Sequence, residues 1–235
     1  SLYNKSQEAP PLVVAIVVDQ MKYEFIDHFS ESFGSGGFNK LINNGIFCRN
    51  THYNYVPTYT GPGHASIFTG TTPAHHGIIA NNWYDKELKK SVYCAGNGDM
   101  HTVCNCEQNI VDISSEDGKM SPHHMITTTI GDEIQLFNPK SKVIGISLKD
   151  RGAILSAGHS ADAAYWMNGN GDWITSSFYM DNLPDWLIQY QNQTPTSSFI
   201  ESDWSFGDEF SHNLDSLINL KGYGIIKSTP YGNTI

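Results

Sequence analysis

Positive charge is scarce in this sequence: 14 Lys and Arg stand against 24 Asp and Glu, a formal net charge of −10 over 235 residues. A surface that tracks a polyanion needs a basic stripe, so general nucleic-acid binding is excluded, and any phosphate chemistry must rest on a few local cations. Long apolar runs are also missing. The longest, LVVAIVV at 12–18, is strand-sized and falls well short of the roughly 20 residues of a membrane span. Cysteine is sparse too. Cys48, Cys94, Cys104 and Cys106 form no Cys-x-x-Cys pair, which argues against a zinc ribbon. The last three lie in a polar segment where a disulfide could tie down an irregular loop in an oxidising compartment, with the pairing open.

What is present describes a globular α/β protein. Apolar residues make up 39% and aromatics 12%, a balance that resembles extracytoplasmic enzymes. The run 12–18 is β-branched and apolar on both faces, as a central parallel strand requires, and it ends at Asp19. Residues 36–44 predict a short helix closed at Gly45, followed by an extended stretch over 46–55. Residues 62–69 predict another helix, with Thr60 and Gly61 at its mouth and Pro62 suited to its first turn. The polar segment 85–122 reads as a surface excursion. Ile126, Ile130, Ile134 and Phe137 recur at helical spacing and predict an amphipathic helix over 125–137. KVIGISL at 142–148 is a second buried strand, with Lys149-Asp150-Arg151-Gly152 at its end. NGNGD at 168–172 marks a hairpin turn, 184–191 a short helix, and 197–219 is weakly patterned. Strand and helix alternate, which favours an α/β/α sandwich around a largely parallel sheet. The expected organisation is a polar N-terminal segment 1–11, the N-terminal part of a catalytic α/β domain at 12–157, and an insertion or accessory region at 158–235.

Open α/β sheets gather ligands beyond the carboxyl ends of their strands, where Asp19 and the pair Lys149 and Arg151 stand. Asp19 taken alone is a metal-ligand candidate, though a helix or turn cap is the reading that one residue favours. Thr60 sits at a helix mouth, where unpaired N–H groups and partial positive charge suit a phosphoryl oxygen. Its hydroxyl is a poor nucleophile unless a divalent cation stabilises the alkoxide; the plain alternative is a helix cap. Lys149 and Arg151, two apart in extended backbone, point the same way, so both could meet one ligand. The adjacent pairs His75/His76 and His123/His124 are poorly disposed to share one ion. His64 is expected to fix the helix mouth, and His159 to be structural. The run 168–172 has calcium-loop composition without EF-hand spacing.

Four segments then appear in order: VVDQM (17–21), TYTGPGH (58–64), TGTTP (69–73) and HGIIANNWYD (76–85). Together they resemble the nucleophile region of nucleotide pyrophosphatase/phosphodiesterases and their relatives in the alkaline phosphatase superfamily. The resemblance implies Asp19 as a zinc ligand, Thr60 as the nucleophile and a metal ligand, and Asn81, with Asn82 adjacent, as a phosphate-binding residue. Lys149-x-Arg151 is similar to the pair in threonine-nucleophile bacterial alkaline phosphatases, which are broad phosphomonoesterases of the periplasm. It implies two further phosphate-binding side chains, a preference for monoesters and small phosphate esters as substrates; the polar, proline-terminated start at 1–11 is what a removed signal peptide would leave. Two zinc ions are implied for the complete enzyme, with most ligands in later Asp- and His-rich elements that this sequence does not contain. The fold is therefore expected to be incomplete at its C-terminus and the chain alone inactive. A phosphodiesterase of the same superfamily and a non-catalytic fragment are the alternatives.

Overall fold

The computed structural model describes residues 10–105 and 116–195. Cys106, His212, most of the N-terminal polar segment, the stretch 197–219 and the chain end lie outside the described residues. Two compact units divide the chain, Ser1–Tyr53 and Asn54–Ile235.

In the first unit, helix α1 (Glu24–His28) precedes helix α2 (Gly37–Asn44), which follows an extended Gly36 and stops at Gly45. Rings join its loops: Phe33 lies against Phe38 with centroids 4.9 Å apart, and Tyr23 stacks on Phe47 at 6.1 Å. The strand expected over 12–18 is not formed. These residues carry no ladder, and Leu12 and Ile16 remain 76% and 78% exposed. A strand exists only through a hydrogen-bonded neighbour, and none is described in this unit.

The second unit opens with helices α3 (Thr60–Thr69) and α4 (Pro73–His76), each ended by a left-handed glycine, Gly70 and Gly77. A hairpin follows, strand β1 (Asn82–Asp85) against strand β2 (Lys90–Tyr93). Its turn is fixed by Asp85, whose Oδ1 accepts from the Glu87 and Leu88 amides, both at 2.8 Å. Strand β3 (Thr102–Val103), helix α5 (Ile130–Phe137), strand β4 (Ile144–Ile146), helix α6 (Asp150–Ala157), strand β5 (Ala163–Met167), strand β6 (Trp173–Ser176) and helix α7 (Asp185–Gln193) complete it. The sheet runs β3-β6-β5-β4. β4 and β5 are parallel, joined by α6 as their crossover, while β6 and β3 add antiparallel strands. The β5–β6 connection is the expected turn, where Asn168 Oδ1 accepts from the Asn170 and Asp172 amides.

Period-two alternation along β5 builds the layers. Ala164 and Trp166 pack with Ala153, Ile154 and Ala157 of α6, whereas Ala163 and Tyr165 pack with Leu183 and with Leu187 of α7. The sheet is thus covered by α6 on one face and α7 on the other. Outside α6, a second cluster joins Ala65, Ile78, Cys94, Met125 and Leu155, so α6 is buried between the sheet and α3. Each large aliphatic side chain buried there contributes about 1.5–3 kcal/mol. Gly145 lets β4 approach so closely that a Cβ there would collide with the Ala153 carbonyl oxygen.

Three further expectations change. The segment 85–122 is more than a surface excursion, because Cys94 and Ala95 are fully buried. The strand expected over 142–148 is confined to β4. The helix expected over 125–137 begins only at Ile130, because Thr129 and Asp132 form a capping box: Thr129 Oγ1 accepts from the Asp132 amide, and Asp132 Oδ2 from the Thr129 amide. Its apolar stripe faces outward, with Ile126, Ile130 and Phe137 exposed by 73, 58 and 93%.

Candidate active site

Thr60 is the first residue of α3, and the capping position belongs to Tyr59, which makes no side-chain cap. The helix mouth is held from two sides. His64 Nδ1 donates to the Thr60 carbonyl at 2.8 Å, and the Gly61 amide donates to Asn81 Oδ1 at 2.7 Å. Asn81 thereby spends its carbonyl on the helix, and its Nδ2 donors make no hydrogen bond among the described residues. Gly61 is packed so tightly that an added Cβ would stand 3.1 Å from Asn81 Oδ1 and 3.2 Å from Cys94 Sγ. The neighbouring Asn82 is exposed at the start of β1.

The second cluster lies at the carboxyl end of β4. Lys149 is the extended N-cap of α6, exposed, and its ammonium makes no ion pair among the described residues. Arg151 is already inside the helix, so the two cations straddle a helix start; the shared extended backbone expected for them ends at Lys149. Arg151 Nη1 donates to Tyr93 Oη at 3.0 Å, and that hydroxyl donates to Asp150 Oδ1 at 2.6 Å. Burial first, and then the Asp150 charge, push the Tyr93 phenol far above its ordinary pKa. Burial opposes the charge on Arg151, but the Tyr93 hydrogen bond and the nearby Tyr93, Asp150 and Cys94 groups together outweigh it, and the pKa is raised. A cavity of about 290 Å3 opens here, lined by Tyr93, Lys149, Asp150, Arg151, Trp166 and Met167 among others. Thr60 and Asn81 do not line it.

A short path nevertheless links the two clusters. Gly61 bonds to Asn81, the Asn81 carbonyl accepts from the Cys94 amide at 2.9 Å, and the adjacent Tyr93 holds Arg151. α3 and α6 also meet directly, since a Cβ on Gly152 would lie 3.7 Å from His64 Nε2. Asp19 belongs to the first unit, in a turn where its Oδ1 accepts from the Gln20 amide at 3.1 Å.

His76 is fully buried, with Nε2 2.9 Å from Ser66 Oγ and Nδ1 accepting from the Ile78 amide; burial lowers its pKa to about 4. His123 and His124 face each other with ring centroids 3.7 Å apart. Among the described residues no group of three His, Cys, Asp or Glu side chains could hold a metal ion. A zinc site takes at least three protein ligands, so these residues alone do not complete one. Sequence reasoning missed Tyr93, because nothing in the sequence signals its pairing with Asp150, 57 residues away.

Residues 13–221 match the family described as type I phosphodiesterase / nucleotide pyrophosphatase. The chain is 42% identical over 207 residues to alkaline phosphatase PhoV of Synechococcus elongatus, covering 87% of this chain and 36% of that protein. It is 36% identical over 253 residues to alkaline phosphatase PafA of Elizabethkingia meningoseptica, covering 96% and 45%. A Myroides odoratus protein described as a calcium-transporting ATPase is 36% identical over all of this chain and 46% of its own length. The crystal structure of wild-type PafA superposes with a TM-score of 0.75 at 40% identity, covering 80% of this chain and 35% of that one. A PafA variant substituted at a threonine, an asparagine, a lysine and an arginine gives 0.74 at 38%, covering 80% and 36%. This chain spans between about a third and a half of the length of these relatives. It belongs to the type I phosphodiesterase/nucleotide pyrophosphatase family of the alkaline phosphatase superfamily, and the part it spans has the alkaline-phosphatase α/β/α fold.

Proposed function

We propose that this chain carries the nucleophile and phosphate-binding part of a phosphatase that hydrolyses phosphate monoesters through a phosphothreonine at Thr60. The observation that carries the reading is the Gly61–Asn81 bond, which holds an unspent Asn81 amide beside the threonine at a helix mouth. Thr60 Oγ1 bonds to phosphorus while the bond from phosphorus to the ester oxygen breaks, and the alcohol leaves with a proton. Water then attacks the phosphothreonine, releases inorganic phosphate and restores the hydroxyl. Asn81, Lys149 and Arg151 donate to the phosphoryl oxygens. A monoester carries about one more negative charge than a diester at neutral pH, which favours a site with two cations.

The similarity to the alkaline phosphatases PhoV and PafA supports the monoester reading. The choice of residues is supported by the four-fold PafA variant, whose altered threonine, asparagine, lysine and arginine occur in the chain order of Thr60, Asn81, Lys149 and Arg151. The family's description makes a phosphodiesterase the second reading, and the ratio of monoester to diester turnover separates the two. Zinc is the cofactor we assign, two ions in the complete protein, with Asp19 and Thr60 as the ligands from this chain. Periplasmic or secreted placement is part of the same proposal.

Thr60→Ala in the complete protein should abolish both monoester turnover and the covalent phosphothreonine detected by mass spectrometry. It should leave the fold intact, since Thr60 is the first helical residue of α3 and not its cap. Near-normal turnover would mean that water or another group attacks phosphorus directly. Metal analysis of the 235-residue chain should find no tightly held zinc, and two ions bound to it would show that the ligands have been misplaced.

A further inference from the structure

Arg151 is an unusual cation to leave so lightly held. Its guanidinium is partly buried, yet its one side-chain hydrogen bond among the described residues goes to Tyr93. Its Nε–H is buried and unpartnered. A buried donor without a partner is costly, and Arg151 also lines the cavity described above, where its charge can meet a ligand oxygen.

The partner of that one bond is informative. Asp150 is the adjacent residue, but its carboxylate is not within ion-pair distance of the guanidinium. It accepts instead from the Tyr93 hydroxyl at 2.6 Å and from the Arg151 backbone amide at 2.6 Å. A neutral phenol therefore stands between the carboxylate and the cation. Burial keeps that phenol protonated, so it donates to Asp150 and must present a lone pair to Arg151. A direct Asp–Arg pair would hold the arginine equally well but would cancel the charge an anionic ligand needs.

The location of Tyr93 adds a second constraint. It ends β2, and its backbone is paired with Asn82 in the hairpin. The next residue, Cys94, donates its amide to the Asn81 carbonyl at 2.9 Å. One short hairpin thus carries both the asparagine tied to the Thr60 helix and the tyrosine tied to Arg151.

We propose that Tyr93 is a positioning residue for the phosphatase reaction: its hydroxyl, oriented by Asp150, holds Arg151 so that the remaining guanidinium donors face a phosphoryl oxygen. The hairpin fixes this donor relative to Asn81. The gain is preorganisation, since a long arginine otherwise samples many rotamers before it meets its ligand. This rests on the phosphatase reading above.

The test is a double-mutant cycle in the complete protein, with 4-nitrophenyl phosphate as monoester and bis(4-nitrophenyl) phosphate as diester. Tyr93→Phe deletes one oxygen and keeps the ring. It should lower monoester kcat/KM by about ten- to a hundredfold, weaken inhibition by inorganic phosphate, and change diester turnover by less than about threefold. In an Arg151→Ala background the same substitution should have almost no further effect, because the group it positions is gone. A merely structural tyrosine would lower both activities alike and do so regardless of Arg151. An undiminished loss in the Arg151→Ala background, or no loss in the wild type, overturns the proposal. If Arg151→Ala itself left monoester turnover intact, the role of Arg151 in the phosphatase reading would fall, and the positioning role with it. Asp150→Asn, which keeps an acceptor for the phenol, should retain most of the activity that Tyr93→Phe loses.

Discussion

α5 and α6 are both eight residues long, both carry isoleucine and leucine, and are opposite in fate. In α6 the residues Ala153, Ile154 and Leu155 are fully buried, since the helix is pressed between the sheet and α3. In α5 the buried residues are Gly131 and Asp132, while Leu136 and Phe137 are 77% and 93% exposed. What anchors α5 is polar. The Asp132 carboxylate accepts from the Thr129 amide and from the amide and hydroxyl of Ser160, and Gly131 allows close approach to Val143. An apolar stripe records a need for cover, whereas the side that is covered depends on which face carries the small residue and the cap.

The sharpest way to break this contrast is to empty the buried helix. Leu155→Ala in α6 should cost about 2–5 kcal/mol, the range for a fully buried leucine whose site cannot collapse. Denaturant midpoints of this chain measure it. A cost below about 1 kcal/mol would mean that α6 is no better packed than α5.

Next in size is a pH effect beside the same core. His76 is buried against Ser66, with a pKa lowered to about 4. The unfolded chain takes up this proton near pH 6.5, whereas the folded chain resists until about 4. The stability it contributes is therefore complete above pH 6.5, is lost as pH falls towards 4, and amounts to at most about 3 kcal/mol. His76→Gln should remove that slope between pH 6.5 and 4 while the carboxylate contributions remain. Identical pH profiles for the two proteins would show that His76 is accessible to protons when folded.

The anchoring of α5 can be weakened on its own. Thr129→Ala removes the capping hydroxyl and should cost about 1 kcal/mol. Hydrogen exchange should quicken in α5 amides and leave α6 unchanged; an equal response in both helices would mean that they unfold as one unit.

These contrasts mark how much of the molecule was legible in the sequence. Helices α2, α3 and α7 were readable because glycine and proline mark their ends, and the β5–β6 turn because Asn168 can bridge its own loop. Family membership was legible from four ordered segments whose spacing is chemical. The run 12–18 was misread because apolarity shows that a segment wants neighbours without supplying them. The Lys149–Arg151 geometry was misread because a helix starts between them, and no capping side chain at Lys149 announces it. Tyr93 was invisible for a simpler reason: its two partners are distant in sequence, and only the packed hairpin brings it to them.

The smallest expected effect on stability concerns the outward face. Phe137→Ser replaces the ring of α5, a residue 93% exposed. Surface substitutions away from caps and buried networks usually change stability by less than about 0.5 kcal/mol, and the denaturant midpoint of this chain should barely move. Its association should respond, because Ile130, Leu136 and Phe137 leave apolar area in water on α5, and Ile126 before it and Ile144 and Ile146 of β4 are exposed nearby in sequence. Exposed apolar patches of this kind promote contacts between molecules. Sedimentation velocity over a concentration series should find Phe137→Ser less self-associated than the parent chain, while Leu155→Ala, destabilised but unchanged on its surface, should not be. If Phe137→Ser instead lost stability on the scale of Leu155→Ala, the ring would be packed in solution, and the contrast between α5 and α6 would collapse.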